Sequence, residues 1–445
     1  MRLILVIIFF QFSMISAQEI QKNIFGFATS NTFTYCDVND TSFTNKVIAI
    51  NPQILRFPGG AVGNFYHFGK SGYGFDFDEI DKYHDGTFPK RSRGLENSRR
   101  KNKHQHDYID DFIALAKKTK AKAVLVANPF VKDDEDIILM IQKLQKNNIE
   151  VVGVELGSEL SNRSYFLKGY TINDYILFAQ RCSNHINKKF PKIKTAVVAA
   201  PLGEKKGHRH NLWNSKLAAM NFYDAIIIHS YAKVTKGEDQ YGQMLSEETE
   251  GKNKSEAFDI YKNRAISFFD EYYPNEVRNY VKIFKKPIWV TEWNLQISQT
   301  TGSTLLQSLF VAQYFLEVLS NPSLSSIELT TYHNLGGRDF SGSIFRNNKD
   351  KIEIQSTYYP MMMIGKIFEN KIVRIEQQKS KDIFSYKCYD KSNKEVLSYK
   401  IDWGSHQFSC IYNTVGSSKN SMVYKSANLF DKANNLGILD LEFRE

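Results

Sequence analysis

Cysteine is scarce in this chain: four among 445 residues, with no C-x-x-C pair. That argues against a cysteine-built zinc site. Cys36, Cys182, Cys388 and Cys410 are left as buried thiols, or as thiols with one bridge between Cys388 and Cys410 in neighbouring candidate strands. A chain this long buries a core without disulfide staples. Beyond the first residues no apolar run reaches the roughly 18 positions of a membrane span, so no span is expected. There is no phosphate-binding loop, no G-x-G-x-x-G after the first strand-like segment and no nucleic-acid motif. No cofactor and no nucleic-acid partner are therefore expected. No repeat at a fixed period and no low-complexity tract occur.

What is present begins with MRLILVIIFFQFSMISAQ. A basic start, a short apolar run and small residues fit for cleavage make residues 1–17 a candidate signal peptide, so a secreted or periplasmic protein is expected. No cysteine follows the expected cut, so a bacterial lipid anchor is not expected. The 42% hydrophobic content is ordinary, while 32 Phe and 24 Tyr form an aromatic-rich balance suited to cores and to sugar-binding clefts. Formal net charge is +10. Lys90, Arg91, Arg93, Arg99, Arg100, Lys101 and Lys103 crowd one loop that also holds Glu96. Such a run is either a solvated surface or a contact for an anionic partner, such as a uronic-acid or sulfated glycan.

Strand-like and helix-like segments alternate through most of the chain. IFGFAT (24–29), QILRF (53–57), AKAVLVAN (121–128), IEVVGVEL (149–156), IKTAVVAA (193–200), AIIIHSY (225–231), PIWVTEW (287–293) and SSIELTTYH (325–333) read as strands. They are apolar throughout rather than alternating, as in a parallel sheet covered on both faces. Eight of them, nearly all followed by a helical pattern, predict a (β/α)8 barrel over residues 18–368. From residue 369 to 445 short strands separated by Gly, Ser, Asn or Asp turns predict a small antiparallel, β-sandwich-like module.

Chemistry in such a barrel sits at the C-terminal ends of the strands. Those ends carry Arg56, Gly59 and Gly60, Asn128, Ser158 and Glu159, His229 and Tyr231, Glu292 and Trp293, and His333. Two glutamates, Glu159 and Glu292, end the fourth and seventh strands. Two carboxyl groups converging on one bond suit glycosidic cleavage: one protonates the leaving oxygen and the other attacks the sugar carbon. The histidine pairs His104/His106 and His208/His210 lie in polar, loop-like sequence rather than at the end of the first strand, so no metal is expected there.

This placement resembles the clan of retaining (β/α)8 glycoside hydrolases. ILRFPGGAVGNFYHF (54–68), VELGSELSNRSYF (154–166) and IIIHSYA (226–232) are similar to the heparanase-like β-glucuronidase branch, and WVTEWN (289–294) to the α-L-arabinofuranosidase branch. The resemblance implies Glu159 as acid/base and Glu292 as nucleophile, with carboxyl groups about 5–5.5 Å apart. It also implies His229 and Tyr231 beside the nucleophile, and Arg56, Gly59 and Gly60 beneath the sugar. Asn128, Ser158, Trp293 and His333 complete the expected substrate-binding set. One departure stands out: the family has Asn before the acid/base, bonded to the sugar 2-hydroxyl, and this chain has Ser158. A hydroxyl is shorter and has one donor fewer. A catalytically silent glycan-binding barrel and, less favoured, a metal-dependent hydrolase remain the alternatives. Which sugar is bound, exo or endo action and oligomeric state are not fixed.

Overall fold

The computed structural model describes residues 20, 22–101, 105–203, 205, 207–236, 252–296, 298, 300–337, 342–348, 351–413, 419–426 and 440–444. The leader, Lys103 and His104 lie outside them. Eight parallel strands close into a barrel in chain order: β1 (Gly26–Ala28), β2 (Ile54–Phe57), β3 (Lys122–Val126), β4 (Val151–Leu156), β5 (Lys194–Val198), β6 (Ala225–Ala232), β7 (Ile288–Leu295) and β8 (Ile327–Tyr332), with β8 pairing back to β1. Their apolar composition follows from burial on both faces: every residue of β2 and of β7 is buried. Near the N-terminal end Trp289 reaches across the interior, and a Cβ on Gly153 would come within 2.2 Å of its ring.

One irregularity positions the site. Between β6 and β7, Ile228 faces Val290, but His229 faces Glu292, so Thr291 is an extra residue in β7. A regular strand sends consecutive side chains to opposite faces. The bulge lets Thr291 and Glu292 both turn toward the barrel axis, where they reach Glu155 and Arg56, before Trp293 returns to the outer face.

The long segment between β2 and the Tyr108–Thr119 helix is more ordered than its composition suggests. It holds helices Phe77–Tyr83 and Thr87–Lys101, so the basic run expected in a loop lies on a helix. Asp107 ties this excursion down: it caps Ile109 N–H, accepts from Tyr66 at 2.6 Å and from Gly69 N–H at 2.8 Å. Tyr83, His84, Phe88, Phe130 and Tyr165 pack as a continuous aromatic wall; Tyr83 stacks on Phe130 at 4.1 Å and His84 on Phe88 at 4.1 Å.

A three-stranded sheet follows β8, made of β9 (Gly336–Gly337), β10 (Phe345–Asn348) and β11 (Lys351–Ile354); nothing in the sequence pattern announced it. The C-terminal module is one six-stranded antiparallel meander, β12 (Arg374–Ser380), β13 (Ile383–Tyr389), β14 (Glu395–Asp402), β15 (Gln407–Asn413), β16 (Lys419–Lys425) and β17 (Asp440–Arg444). Among the described residues it lacks the second layer of the expected sandwich. Barrel helices Leu305–Ser320 and Tyr358–Glu369 pack against it instead. Phe384, Tyr386, Cys388, Leu397, Tyr399 and Ile401 alternate onto a buried face, as period-2 patterning requires. Trp403 Nε1 donates to Gln313 at 2.7 Å, and Tyr386 donates to Glu317 at 3.0 Å. All four cysteines are free and buried. Cys388 and Cys410 lie on β13 and β15 with β14 between them, so the neighbouring-strand bridge is not formed.

Candidate active site

The barrel brings Glu159 and Glu292 to one point. An oxygen of each carboxyl group and a ring nitrogen of His229 lie within 4.8 Å of one another. That proximity is compatible with the carboxylate pair of a retaining glycosidase, whose groups stand about 5–5.5 Å apart.

Glu292 is nearly enclosed. Arg56 Nη1 donates to its Oε1 at 2.9 Å and the Tyr231 hydroxyl to its Oε2 at 2.9 Å, while Nδ1 of His229 and of His333 each stand 3.6 Å from Oε2. Burial alone would raise this carboxyl's pKa. The charges of His229, His333 and Arg56, with the Arg56 hydrogen bond, reverse that and hold it well below the usual carboxylate range. Burial pushes His333 itself below its ordinary value, so its help fades toward neutrality; Arg56 stays charged at any working pH. We therefore assign the ionised form of Glu292 to Arg56 first. Tyr231 is pushed far above its ordinary value by burial and by the nearby carboxylates, so it remains a donor.

Glu159 is the more open of the two, its side chain 35% exposed. Its Oε1 lies 2.9 Å from His229 Nδ1, and Asn162 Nδ2 donates to its Oε2 at 3.0 Å. Its backbone is left-handed, with φ 52°, in a sharp turn where Gly157 has φ 85°. Asn64 pins that turn: its buried amide accepts from Ser158 N–H at 2.8 Å and donates to Ser158 C=O at 2.6 Å. A non-glycine residue in this region is uncommon, and such backbone concentrates at working sites. His229 is held above its ordinary value; burial lowers it, but the charges of Glu292 and Glu159 and the Glu159 hydrogen bond outweigh burial.

The expected substrate-binding set divides. His229, Tyr231 and His333 surround the carboxylates. Gly59 and Gly60, at φ 72° and 67°, form a tight turn in which Gly60 approaches His333. Arg56 is fully buried, so it supports Glu292 from below rather than touching a ligand. Trp293 is a correction: it is fully buried on the outer face of β7, stacked on Tyr314 at 3.6 Å, because the chain resumes its alternation after the bulge. Asn128 is also committed elsewhere, bonding Tyr66 C=O and Phe130 N–H, and so shapes a loop. Ser158 is buried with its hydroxyl unpartnered. Glu155, Thr291 and Asn64 were missed. Glu155 takes Arg56 on both oxygens, at 2.6 and 2.9 Å, and accepts from Thr291 at 3.0 Å. A charged residue inside an apolar strand was the available signal for Glu155.

Glu159, His229 and Glu292 are spaced to reach one cation, yet their facing atoms are already engaged with one another and with Arg56 and Tyr231. Among the described residues no histidine of these pairs joins such a cluster: His208 caps a helix that contains His210, and His106 pairs with Asp111. A hollow of about 50 Å³ beside Glu159, bordered by Asn162, Ala199, Pro201 and His229, has room for about one water. A larger depression of about 480 Å³ lies at the other end of the barrel. Lys122 pairs with Glu150 there, and Lys194 with Glu328.

No sequence-family profile and no curated protein sequence matches the chain. Solved structures do. A family 51 arabinofuranosidase from Xanthomonas axonopodis pv. citri aligns over 96% of this chain and 92% of its own, with TM-score 0.62 and 9% identity. A 4-O-α-L-rhamnosyl-β-D-glucuronidase from Fusarium oxysporum aligns over 96% and 89%, with TM-score 0.58 and 10% identity. A family 51 α-L-arabinofuranosidase from Thermotoga petrophila aligns over 96% and 93%, with TM-score 0.57 and 12% identity. At these identities the likeness is one of fold: the chain shares the barrel and C-terminal β-module of these glycoside hydrolase structures.

Proposed function

We propose that this chain is a retaining glycoside hydrolase with Glu159 as acid/base and Glu292 as nucleophile. The observation that carries the reading is the facing pair of carboxyl groups, one held ionised by Arg56 and the other more open and bonded to His229. In the first step Glu292 attacks the anomeric carbon, the glycosidic C–O bond breaks, and Glu159 gives its proton to the leaving oxygen. In the second, Glu159 takes a proton from water, the water oxygen bonds the sugar carbon, and Glu292 is released. Arg56 and Tyr231 hold Glu292 ionised and oriented for the attack, and receive it again as a carboxylate when the second step releases it.

The substrate class is a polysaccharide or oligosaccharide. Exposed Lys90, Arg100 and Lys101 on the Thr87–Lys101 helix support an anionic one. Arg99 turns inward to Glu96 and Arg93 pairs with Asp81, so these two are spoken for. The leader sequence supports secretion. Ser158 favours a second reading, a glycan-binding barrel that does not turn over, since its buried hydroxyl offers no amide to a sugar.

The test is hydrolysis of an aryl-glycoside and glycan panel, with the product anomer followed by NMR. Retention is expected in the parent and none in Glu292→Ala. Glu159→Ala should keep part of its first step on activated aryl glycosides, and azide should restore the second. An inverted product overturns the mechanism. Glycan binding without turnover favours the silent barrel.

A further inference from the structure

We propose that Thr291, wedged between Glu155 and His229, fixes the His229 tautomer so that Nδ1 and Glu159 share the acid proton. The hydrogen bonds leave little choice. Arg56 donates Nε to Glu155 Oε1 at 2.6 Å and Nη2 to Oε2 at 2.9 Å, so Glu155 is an acceptor only. Thr291 Oγ1 lies 3.0 Å from Glu155 Oε2 and spends its one proton there. Toward His229 Nε2, 3.3 Å away, it then offers only lone pairs. Nε2 therefore carries hydrogen, and in the neutral ring Nδ1 is bare. Nδ1 is 2.9 Å from Glu159 Oε1. That contact is a hydrogen bond only with a proton in it, either Glu159 O–H donating to Nδ1 or an imidazolium N–H donating to the carboxylate.

Losing that proton is penalised in both tautomers. With Nε2–H kept, a lone pair faces the Glu159 carboxylate. With the ring switched to Nδ1–H, a lone pair at Nε2 faces the lone pairs of Thr291. Thr291 thus holds the proton on the Glu159–His229 pair to higher pH, without touching substrate. The other groups facing the pair are Glu292 on β7, Arg56 on β2, Glu155 on β4, His333 just after β8 and Tyr231 on β6, with His84 and Tyr165 near Glu159. Thr291 bonds Glu155 alone among them, so substituting it leaves their charges in place.

The kinetic arm rests on the glycosidase reading; the spectroscopic arm does not. In Thr291→Val the hydroxyl is gone, the Nδ1–H tautomer becomes free to donate to Glu159, and the alkaline limb of kcat/KM should move down by about one pH unit. Thr291→Ser keeps the hydroxyl and should overlay the parent. A merely structural role would lower kcat or stability without moving that limb. In protein labelled with ¹⁵N-histidine, the His229 signals, identified among ten histidines by their loss in His229→Gln, should show Nε2–H in the neutral parent ring and Nδ1–H in Thr291→Val. An unmoved limb in Thr291→Val, or Nδ1–H in the parent, overturns the proposal. If no glycoside is cleaved, the glycosidase reading fails, and the parent's ¹⁵N tautomer still decides this one, as it does if Thr291→Val does not fold.

Discussion

Strand β6 separates two carboxyl groups, one buried and one half-buried, that have opposite fates. On its inner face His229 and Tyr231 meet Glu292, whose acidity is increased by Arg56 and the histidines. On its outer face Ser230 meets Glu276, from helix Tyr273–Phe284, whose pKa burial pushes up to about 7 with only that hydroxyl, 3.3 Å away, to oppose it. Burial pulls both in the same direction. What differs is the company: a permanent cation and donors in one case, a single hydroxyl in the other. The comparison teaches that an ionised carboxylate in this core has to be constructed. The construction reaches back through Arg56 to Glu155 and Thr291, residues remote from any ligand.

The strongest way to break the comparison is to remove the inner charge. Glu292→Gln keeps the shape and the Tyr231 contact but leaves no nucleophile, so turnover should fall on the order of 10⁴-fold or more while the fold persists. Full activity in this variant on a glycoside the parent cleaves would remove Glu292 from the mechanism. Next is the cation. Arg56→Met leaves Glu155 and Glu292 buried together without their shared cation, and breaking a buried pair from one side costs about 3–5 kcal/mol. Urea unfolding should show that loss; an unchanged midpoint would mean water or another group replaces Arg56. Smaller again is Tyr231→Phe, which deletes one charge-assisted bond to Glu292. Its kcat should drop about 10- to 100-fold with little change in stability, and an unaltered kcat would relegate Tyr231 to packing.

The barrel was legible because its strands are uniformly apolar and spaced by helical patterns, and Glu159 and Glu292 stood out as carboxyls at strand ends. Their support was harder to read. Arg56 was visible, but its direction was not, since a strand end looks the same whether its side chain points at a ligand or at a neighbour. Thr291 was hidden by the bulge: period-2 reading puts it opposite Glu292, and the extra residue turns both inward. The same bulge sent Trp293 outward, against expectation. Ser158 showed its chemistry, an absent amide, but not that Asn64 occupies both of its backbone groups. The helices at Phe77–Tyr83 and Thr87–Lys101 escaped because long-range anchors such as Asp107 help fix that excursion, and propensity does not report such contacts.

The smallest expected effect sharpens the comparison by giving the two carboxyls opposite signs of pH dependence. Glu276 has a folded pKa near 7, raised from 4.5, so the folded state binds more protons than the unfolded one between those values. Its contribution is full below about pH 4.5 and is lost as pH rises through 7. Glu292, depressed instead, contributes above the usual carboxylate range and loses that contribution as pH falls. Glu276→Gln removes one slope and leaves the other. The whole shift from 4.5 to about 7 would be worth about 3 kcal/mol. Because Glu276 is not fully enclosed, solvent screening should leave about 1–2 kcal/mol. The stability of Glu276→Gln minus that of the parent should therefore climb by that amount between pH 4.5 and 7 and stay level above, whatever constant offset the amide introduces. Urea midpoints measured every half pH unit would reveal it. A flat difference across that window would mean Glu276 is already neutralised or hydrated in the folded state, and the contrast across β6 would then rest on Glu292 alone.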